Sequence, residues 1–119
     1  MLRTLDDLEL GAQSSHELRF LQGLRRRGLP MASLQTMKQR PDGKAYLDAW
    51  WERYRLHVEI DGLAHLWVGN WLADLERSNE LEIGSSARRL RFAGFQVLER
   101  EDMVLGQVER ALVAGGWQR

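Results

Sequence analysis

Three carboxylates fall on two predicted β-strands of one short stretch. The stretch LDAWWERYRLHVEIDG runs from Leu47 to Gly62, and the acids on its predicted strands are Asp48, Glu59 and Asp61. Acidic residues are depleted in strands, and like charges clustered on a sheet repel one another. A bound cation would offset that repulsion, and carboxylate oxygens are ligands that Mg²⁺ prefers. One interpretation of the stretch is therefore a site for a hard divalent cation.

Alternation along the two strands gives the predicted hairpin two different faces. If Glu52-Arg53 is a two-residue turn, Asp48 faces His57, and Asp48 and Glu59 are diagonal neighbours about 7–8 Å apart. One face is apolar and carries Leu47, Ala49, Leu56, Val58 and Ile60. The other, called the carboxylate face below, carries Tyr46, Asp48, Trp50, His57, Glu59 and Asp61.

A plain explanation of the carboxylate face stays open. One-sided antiparallel sheets alternate apolar-in and polar-out, so three acids on a solvated face need no function. Tyr46 and Trp50 on the same face argue against simple solvation. His57 is expected to pair with an acid on this face rather than to act in catalysis.

The remaining pattern predicts the order α-β-β-β-α-β-α. Ser14 and Glu17 form a capping-box pattern at the start of the first helix, which Gly28 and Pro30 end. The later segments are a strand over Ser33–Lys38, strands over Lys44–Trp50 and Tyr54–Asp61, a helix over Trp71–Ile83, a strand over Arg88–Ala93, and a helix ended by Gly115-Gly116. This order predicts an α/β or α+β fold, a sheet covered by helices. Residues 1–11 are interpreted as an N-terminal arm and 12–119 as a single domain.

Composition narrows the class of protein. The chain has 119 residues, of which 44% are hydrophobic and 29% are charged, as expected for one globular domain. The absence of Cys excludes disulfides, thiolate nucleophiles and Cys-ligated zinc. The N-terminus has acids where a secretory signal needs a basic start, and there is no apolar run long enough for a membrane span. The expected setting is the cytoplasm, without membrane association.

Basic residues equal acidic residues in number, but several of them are clustered in the sequence. Lys+Arg and Asp+Glu are 17 each, so a polyanionic partner would have to bind a local patch. Two such clusters are Arg25-Arg26-Arg27 and the group Arg88, Arg89 and Arg91. Each could neutralise phosphates, and each could equally be a solvated helix end or strand edge.

The order of these motifs resembles a known family of nucleases. The residues that carry the resemblance are Ser14 and Glu17, Gly28-Leu29-Pro30, Gln35, Tyr46-Leu47-Asp48, Val58–Gly62, His65, Arg77, Asn79 and Leu81, Leu90-Arg91-Phe92, and Gly116-Trp117. Together they resemble the PD-(D/E)XK superfamily, which has the restriction-endonuclease-like fold. Within it they are similar to the bacterial family called domain of unknown function 559, related to the very-short-patch-repair endonucleases. The resemblance covers Ala12 to Trp117 and implies an αβββαβ core with a four-stranded mixed sheet.

The resemblance implies an endonuclease that hydrolyses DNA phosphodiester bonds with Mg²⁺ or Mn²⁺. Asp48, Glu59 and the backbone carbonyl of Ile60 would bind the metal. Glu17 would be a further ligand, with a plain capping glutamate as the alternative. Asp61 would bind a second metal or a metal-bound water, although it could be only a strand-end acid, and it stands where most members have Lys. His65 would be a general acid or a phosphate contact, or merely an exposed loop residue.

DNA is the expected partner, and action on both strands would favour a homodimer. The residues expected to contact nucleic acid are Arg88, Arg89, Arg91, Arg77, Asn79, Gln35 and Lys44. Arg77 and Asn79 could instead brace the site. Without the usual Lys, a second hypothesis is a catalytically weakened domain of the same fold that binds nucleic acid or a protein partner. A small-molecule enzyme has no supporting motif, since there is no Gly-rich phosphate loop and no Ser/His/Asp grouping.

Overall fold

The two hairpin strands lie at the centre of the sheet in a computed structural model of the protein. The structure describes residues 5–37, 46–61, 69–84 and 88–119, and the side chains of 16–34, 47–61, 73–84 and 88–119. The strands are β1 (Ser33–Met37), β2 (Tyr46–Trp51), β3 (Leu56–Asp61) and β4 (Arg88–Ala93), in that spatial order. β1, β2 and β3 pair antiparallel, whereas β3 and β4 pair parallel. The prediction of a four-stranded mixed sheet flanked by helices is confirmed.

The helices agree with the predicted order, with one addition. They are α1 (Leu5–Arg26), α2 (Gly69–Ile83), α3 (Gly94–Glu99) and α4 (Glu101–Ala114). The sequence predicts the last helix from Glu99, whereas α4 begins at Glu101 and is preceded by a separate short helix. Arg100, with φ −133°, separates α3 from α4. The side chain of Gln96 accepts a hydrogen bond from the backbone N–H of Ala93 at 2.9 Å and so caps the start of α3.

α1 begins at Leu5, which places Ser14 inside the helix. The interpretation of Ser14 and Glu17 as a capping box is therefore wrong, because an N-cap residue must lie at a helix start. The good helix formers among residues 5–13, such as Leu and Glu, extend the helix upstream. The division into an N-terminal arm and a domain stays a prediction.

The end of α1 is a Schellman motif, as the Gly28 signal predicted. Gly28 has φ +70°, its N–H donates to Arg25 O at 3.0 Å, and Leu29 N–H donates to Leu24 O at 2.9 Å. These bonds satisfy carbonyls that the helix leaves unpaired. Trp51 Nε1 then donates to Pro30 O at 2.7 Å, which fixes the departing chain to β2.

The apolar face of the hairpin forms the core together with α1, α3 and α4. Phe20 of α1 meets Trp51 edge-on, with ring centroids 6.4 Å apart. The core face of the sheet and the helices above it contribute Leu24, Leu47, Ala49, Leu56, Val58, Ile60, Leu90, Phe92, Val97, Val104, Leu105, Val108, Ala111 and Leu112. All of the predicted apolar-face residues are in this core.

The turn between β2 and β3 is longer than predicted. A 3-10 turn over Glu52–Tyr54 is followed by Arg55 in the left-handed region, with φ 53°. Asp48 therefore pairs with Glu59, not with His57. Two-residue hairpin turns need Gly or Asn in left-handed positions, and Glu-Arg does not supply them. Because the register moves by two residues, both faces keep their predicted members.

Among the described residues, no helix is long and apolar enough to cross a membrane.

Candidate active site on the carboxylate face

The strand register brings the two main acids together more directly than predicted. Asp48 on β2 and Glu59 on β3 are paired residues, so their side chains leave the same face side by side. Asp61 is two residues further along β3, opposite Tyr46. Asp48 is 7% exposed, Glu59 4% and Asp61 8%. Burial of this degree distinguishes these acids from ordinary polar residues on a solvated sheet face, since buried charges need compensating partners.

Asp48 is compensated by a histidine. His57 Nε2 lies 2.9 Å from Asp48 Oδ1, and a carboxylate oxygen there accepts the hydrogen bond. The His57 ring is stacked on Trp50, with centroids 5.0 Å apart and planes 3° from parallel. Trp50 therefore fixes the plane of the imidazole that holds Asp48. The expected pairing of His57 with an acid on this face is confirmed.

Glu59 is compensated by two arginines of the parallel strand. Arg89 Nη2 donates to Glu59 Oε2 at 2.7 Å, and Arg91 Nε lies 3.2 Å from the same oxygen. Arg91 is the register partner of Glu59 on β4, and Arg89 is the partner of His57. Both arginine side chains are 53% exposed. They can therefore reach from a buried carboxylate to a ligand at the surface.

The sequence placed Arg88 in the same basic cluster, but the structure separates it. Arg88 pairs with Leu56 and points to the core face, where it is 6% exposed. Its Nη1 donates to the Ala111 carbonyl in the last turn of α4. Burial lowers the pKa of Arg88, and the nearby charge of Arg55 lowers it further. The alternation of side chains along β4 explains the split, because Arg89 and Arg91 share one face and Arg88 takes the other.

Asn79 and Arg77 have different surroundings although both lie on α2. Asn79 is 2% exposed; its amide donates to Arg91 O at 2.8 Å and accepts from Arg91 N–H at 2.8 Å. It also donates to Gln107 at 3.0 Å. These contacts are those of the bracing alternative. Arg77 is exposed and donates to Asp74 at 2.5 Å.

The turn of α1 that carries Glu17 packs near the end of the sheet where Asp61 is found. The neighbouring His16 packs so closely on Gly94 that a Cβ there would overlap the imidazole ring. Gly94 follows Ala93, which is the register partner of Asp61. The approach of Glu17 itself to the site stays a prediction. Burial lowers the pKa of His16, whose Nδ1 has no hydrogen-bond partner among the described residues.

The remaining predicted residues are only partly placed. Gln35 is the register partner of Asp48 on β1, although its side chain is outside the described part. Ile60 pairs with Leu47 and Phe92, and its carbonyl as a metal ligand stays a prediction. His65 and Lys44 lie outside the described residues. Within the described side chains, no three His, Asp or Glu residues form a group that could hold a metal ion.

The donor set of the carboxylate face nevertheless fits a hard cation in its chemistry. Asp48 and Glu59 offer carboxylate oxygens at one level of the sheet, which is the ligand type that Mg²⁺ and Mn²⁺ favour. Sequence reasoning missed the Arg89 and Arg91 contacts to Glu59. Predicting them would have required the parallel pairing of β4 with β3 and its register.

Comparison of the chain with protein-family models, with curated proteins and with solved structures finds no match. The nuclease resemblance therefore rests on the sequence motifs alone.

Proposed function

We propose that the protein is a metal-dependent endonuclease-like enzyme of the restriction-endonuclease-like class, which hydrolyses DNA phosphodiester bonds in the cytoplasm. The observation that supports this proposal is the pair of buried carboxylates, Asp48 and Glu59, side by side on adjacent strands. Half-exposed Arg89 and Arg91 lie at the edge of the same pair. A buried acidic pair with accessible guanidinium groups suits a metal and a phosphate together.

Each group would have a distinct task in this reaction. Asp48, Glu59 and the Ile60 carbonyl would hold Mg²⁺ or Mn²⁺. When bound, the metal would supply an activated water and stabilise charge on the phosphate oxygens. Arg89 and Arg91 would turn from Glu59 toward the phosphate, because guanidinium groups bind carboxylates and phosphates with the same geometry. His57 would keep Asp48 oriented, and Glu17, Asp61 and His65 remain proposed members of the site.

Metal titration tests the proposal directly. Isothermal titration calorimetry with Mg²⁺ and with Mn²⁺ should give saturable heat for the wild type. Asp48→Asn should abolish that heat, since an amide keeps the shape but loses the charge. Asp74→Asn is the matched control, because Asp74 is an exposed acid on α2 that contacts Arg77 only among the described groups. Supercoiled plasmid should be nicked by the wild type and by Asp74→Asn but not by Asp48→Asn. No heat and no nicking by the wild type would rule out the nuclease.

A second function is favoured by the partners of the two acids themselves. His57, Arg89 and Arg91 already compensate the two buried acids, so the carboxylate face can be stable without a metal. A domain of this kind would bind nucleic acid or a protein partner without cleaving it. DNA binding by a wild-type protein that shows no metal-dependent heat would support this function. Size-exclusion chromatography with DNA would also show whether two copies assemble on both strands.

A further inference from the structure

A recess opens at the hairpin end of the sheet, beside the carboxylate face. Its volume is about 540 Å³, and its walls include Trp50, His57, Arg55, Arg88 and Glu52. Pockets that bind small molecules are typically about 300–1,000 Å³. The recess shares Trp50 and His57 with the carboxylate face, and the same imidazole bonds Asp48. It is therefore contiguous with the candidate active site, to which it adds Glu52, Arg55 and Arg88.

The recess carries unbalanced positive charge. Among the described residues, neither Arg55 nor Arg88 forms an ion pair with a carboxylate. Glu52 lines the same recess but is not paired with either arginine. Arg88 is 6% exposed, and its Nη2 has no hydrogen-bond partner among the described groups. Arg55 is exposed, and the buried charge of Arg88 belongs to the same recess. An exposed guanidinium group without a carboxylate partner can bind an anion such as phosphate.

The backbone holds Arg55 in its place at the recess. Arg55 is the only non-glycine residue with positive φ in the described part of the chain. Its N–H donates to Glu52 O at 3.1 Å, which closes the turn. A residue other than glycine in the left-handed region costs some conformational energy. The hairpin turn thus positions this cation at the mouth of the recess.

A flat aromatic surface lies next to these cations. Trp50 and His57 are stacked almost parallel, and both line the recess. Nucleobases stack on such side chains whatever their sequence, provided that the base is not already paired and stacked in a duplex. An exposed arginine that can bind phosphate, beside an aromatic surface, therefore matches the two ends of one nucleotide.

We propose that the recess binds one unpaired nucleotide, with its phosphate at Arg55 and its base against Trp50. The inference rests on the proposed function, because it assigns the substrate class of the same site. It makes single-stranded DNA, or an unpaired nucleotide next to duplex, the preferred ligand. An unpaired nucleotide in DNA and a free nucleotide would be recognised through the same unit, a nucleoside monophosphate.

Filter binding of a labelled single-stranded oligonucleotide in EDTA tests the phosphate contact. Arg55→Gln should weaken binding about tenfold and reduce the salt slope by about 0.7, the value for one phosphate contact on a single strand. Arg53→Gln is the matched control, since Arg53 lies on the same turn but stacks over Tyr54 at 5.7 Å. It removes the same charge and should leave both quantities near those of the wild type. Equal effects of the two substitutions, or no oligonucleotide binding by the wild type, would overturn the inference.

A second arm tests the base contact and the source of the nucleotide. Trp50→Leu should weaken binding of the ordinary oligonucleotide about tenfold, in the range of one base stacked on an aromatic ring. The same substitution should not weaken binding of an abasic oligonucleotide. An equal loss of affinity for the ordinary and the abasic oligonucleotide would overturn the base contact. Competition by a free deoxynucleoside monophosphate that depends on Arg55 would identify a free nucleotide as the ligand. Plasmid nicking in Mg²⁺ decides the proposed nuclease separately, because this binding is measured without metal.

Discussion

Glu59 and a DNA phosphate would compete for the same two guanidinium groups. Arg89 and Arg91 both contact Glu59 Oε2, yet half of each side chain is exposed. In the free protein the carboxylate holds the arginines in place, and in a complex the phosphate would take them over. A single acid therefore both preorganises the cations and opposes their use.

Glu59→Gln separates these two effects. Without the carboxylate charge, Arg89 and Arg91 are more available, so DNA affinity measured in EDTA should rise several-fold. Metal-dependent heat should disappear in the same variant, because a ligand charge is gone. Asp74→Asn provides the control for a general change in net charge. A fall in metal-free affinity for Glu59→Gln would show that the arginines need Glu59 in order to bind.

His16 gives the fold a dependence on pH. Burial keeps its pKa below the ordinary value, and Nδ1 lacks a partner among the described groups. The unfolded chain takes up the proton near pH 6.5 whereas the folded chain does not, so the free energy of unfolding falls as pH drops below about 6.5. In His16→Gln this part of the loss should vanish. Urea denaturation at about pH 5.5 and about pH 7.5 measures it, and an identical pH dependence in both proteins would contradict it.

At the scale of elements, β4 depends on α2 for its outer edge. The edge of a sheet leaves N–H and C=O groups unpaired, and the amide of Asn79 pairs with both groups of Arg91. Gln107 of α4 then joins the same network by donating to the Glu76 carbonyl at 3.1 Å. The side chain of Arg91 reaches the carboxylate face. Its backbone is thus held at the outer edge of the sheet by two helices.

Asn79→Ala should destabilise the protein by about 2–3 kcal/mol, since it leaves buried backbone groups without partners. Denaturant unfolding gives this value, and amide exchange at Arg91 should become faster. Arg77→Ala, an exposed change on the same helix, should stay within about 0.5 kcal/mol of the wild type. Comparable losses in both variants would mean that the edge contact contributes little.

Two glycines of the last helical region should respond in opposite ways to alanine. A Cβ at Gly115 would collide with the Arg88 guanidinium and with the Tyr54 carbonyl, whereas Gly106 in α4 has open space. Gly115→Ala should cost about 1–3 kcal/mol through overpacking. Gly106→Ala should stabilise by up to about 1 kcal/mol through helix propensity. Thermal unfolding of both variants checks the pair, and a neutral Gly115→Ala would show that Arg88 can move aside.

Strand composition was enough to predict the sheet, because period-two alternation assigns faces even when the turn is misjudged. The hairpin kept both faces although its register moved by two residues. The split of Arg88 from Arg89 and Arg91 was also implicit in that alternation. The recess was not predictable, since it depends on the left-handed Arg55 and on the parallel pairing of β4. The start of α1 was missed because a local capping pattern outweighed the helix-forming residues before it.

At the scale of the whole molecule, equal numbers of acids and bases leave no long-range field for DNA. Most basic side chains in the described helices or next to them are already paired, such as Arg110 with Glu80 and Arg100 with Glu76. Arg55 at the hairpin end of the sheet and half-exposed Arg89 and Arg91 on its carboxylate face are the described cations proposed to meet a ligand. Affinity for nucleic acid should accordingly come from a few contacts.

The salt dependence of binding measures that number. If Arg55, Arg89 and Arg91 contact one phosphate each, log K against log salt for single-stranded DNA should have a slope of about −2. Filter binding between low and moderate salt provides the slope. A broad basic surface would give a much steeper dependence, near −5 or beyond for about seven contacts, and that result would contradict the local patch.

The adjacent tryptophans of β2 belong to two different environments. Trp51 is 3% exposed and meets Phe20 in the core, whereas Trp50 stacks on His57 at the recess. In a background where the other tryptophans are replaced by phenylalanine, either one alone would serve as an intrinsic fluorescent reporter. Emission from Trp51 would follow unfolding, and quenching of Trp50 would follow occupancy of the recess. One dipeptide thus provides separate optical signals for the stability of the fold and for occupancy of the recess.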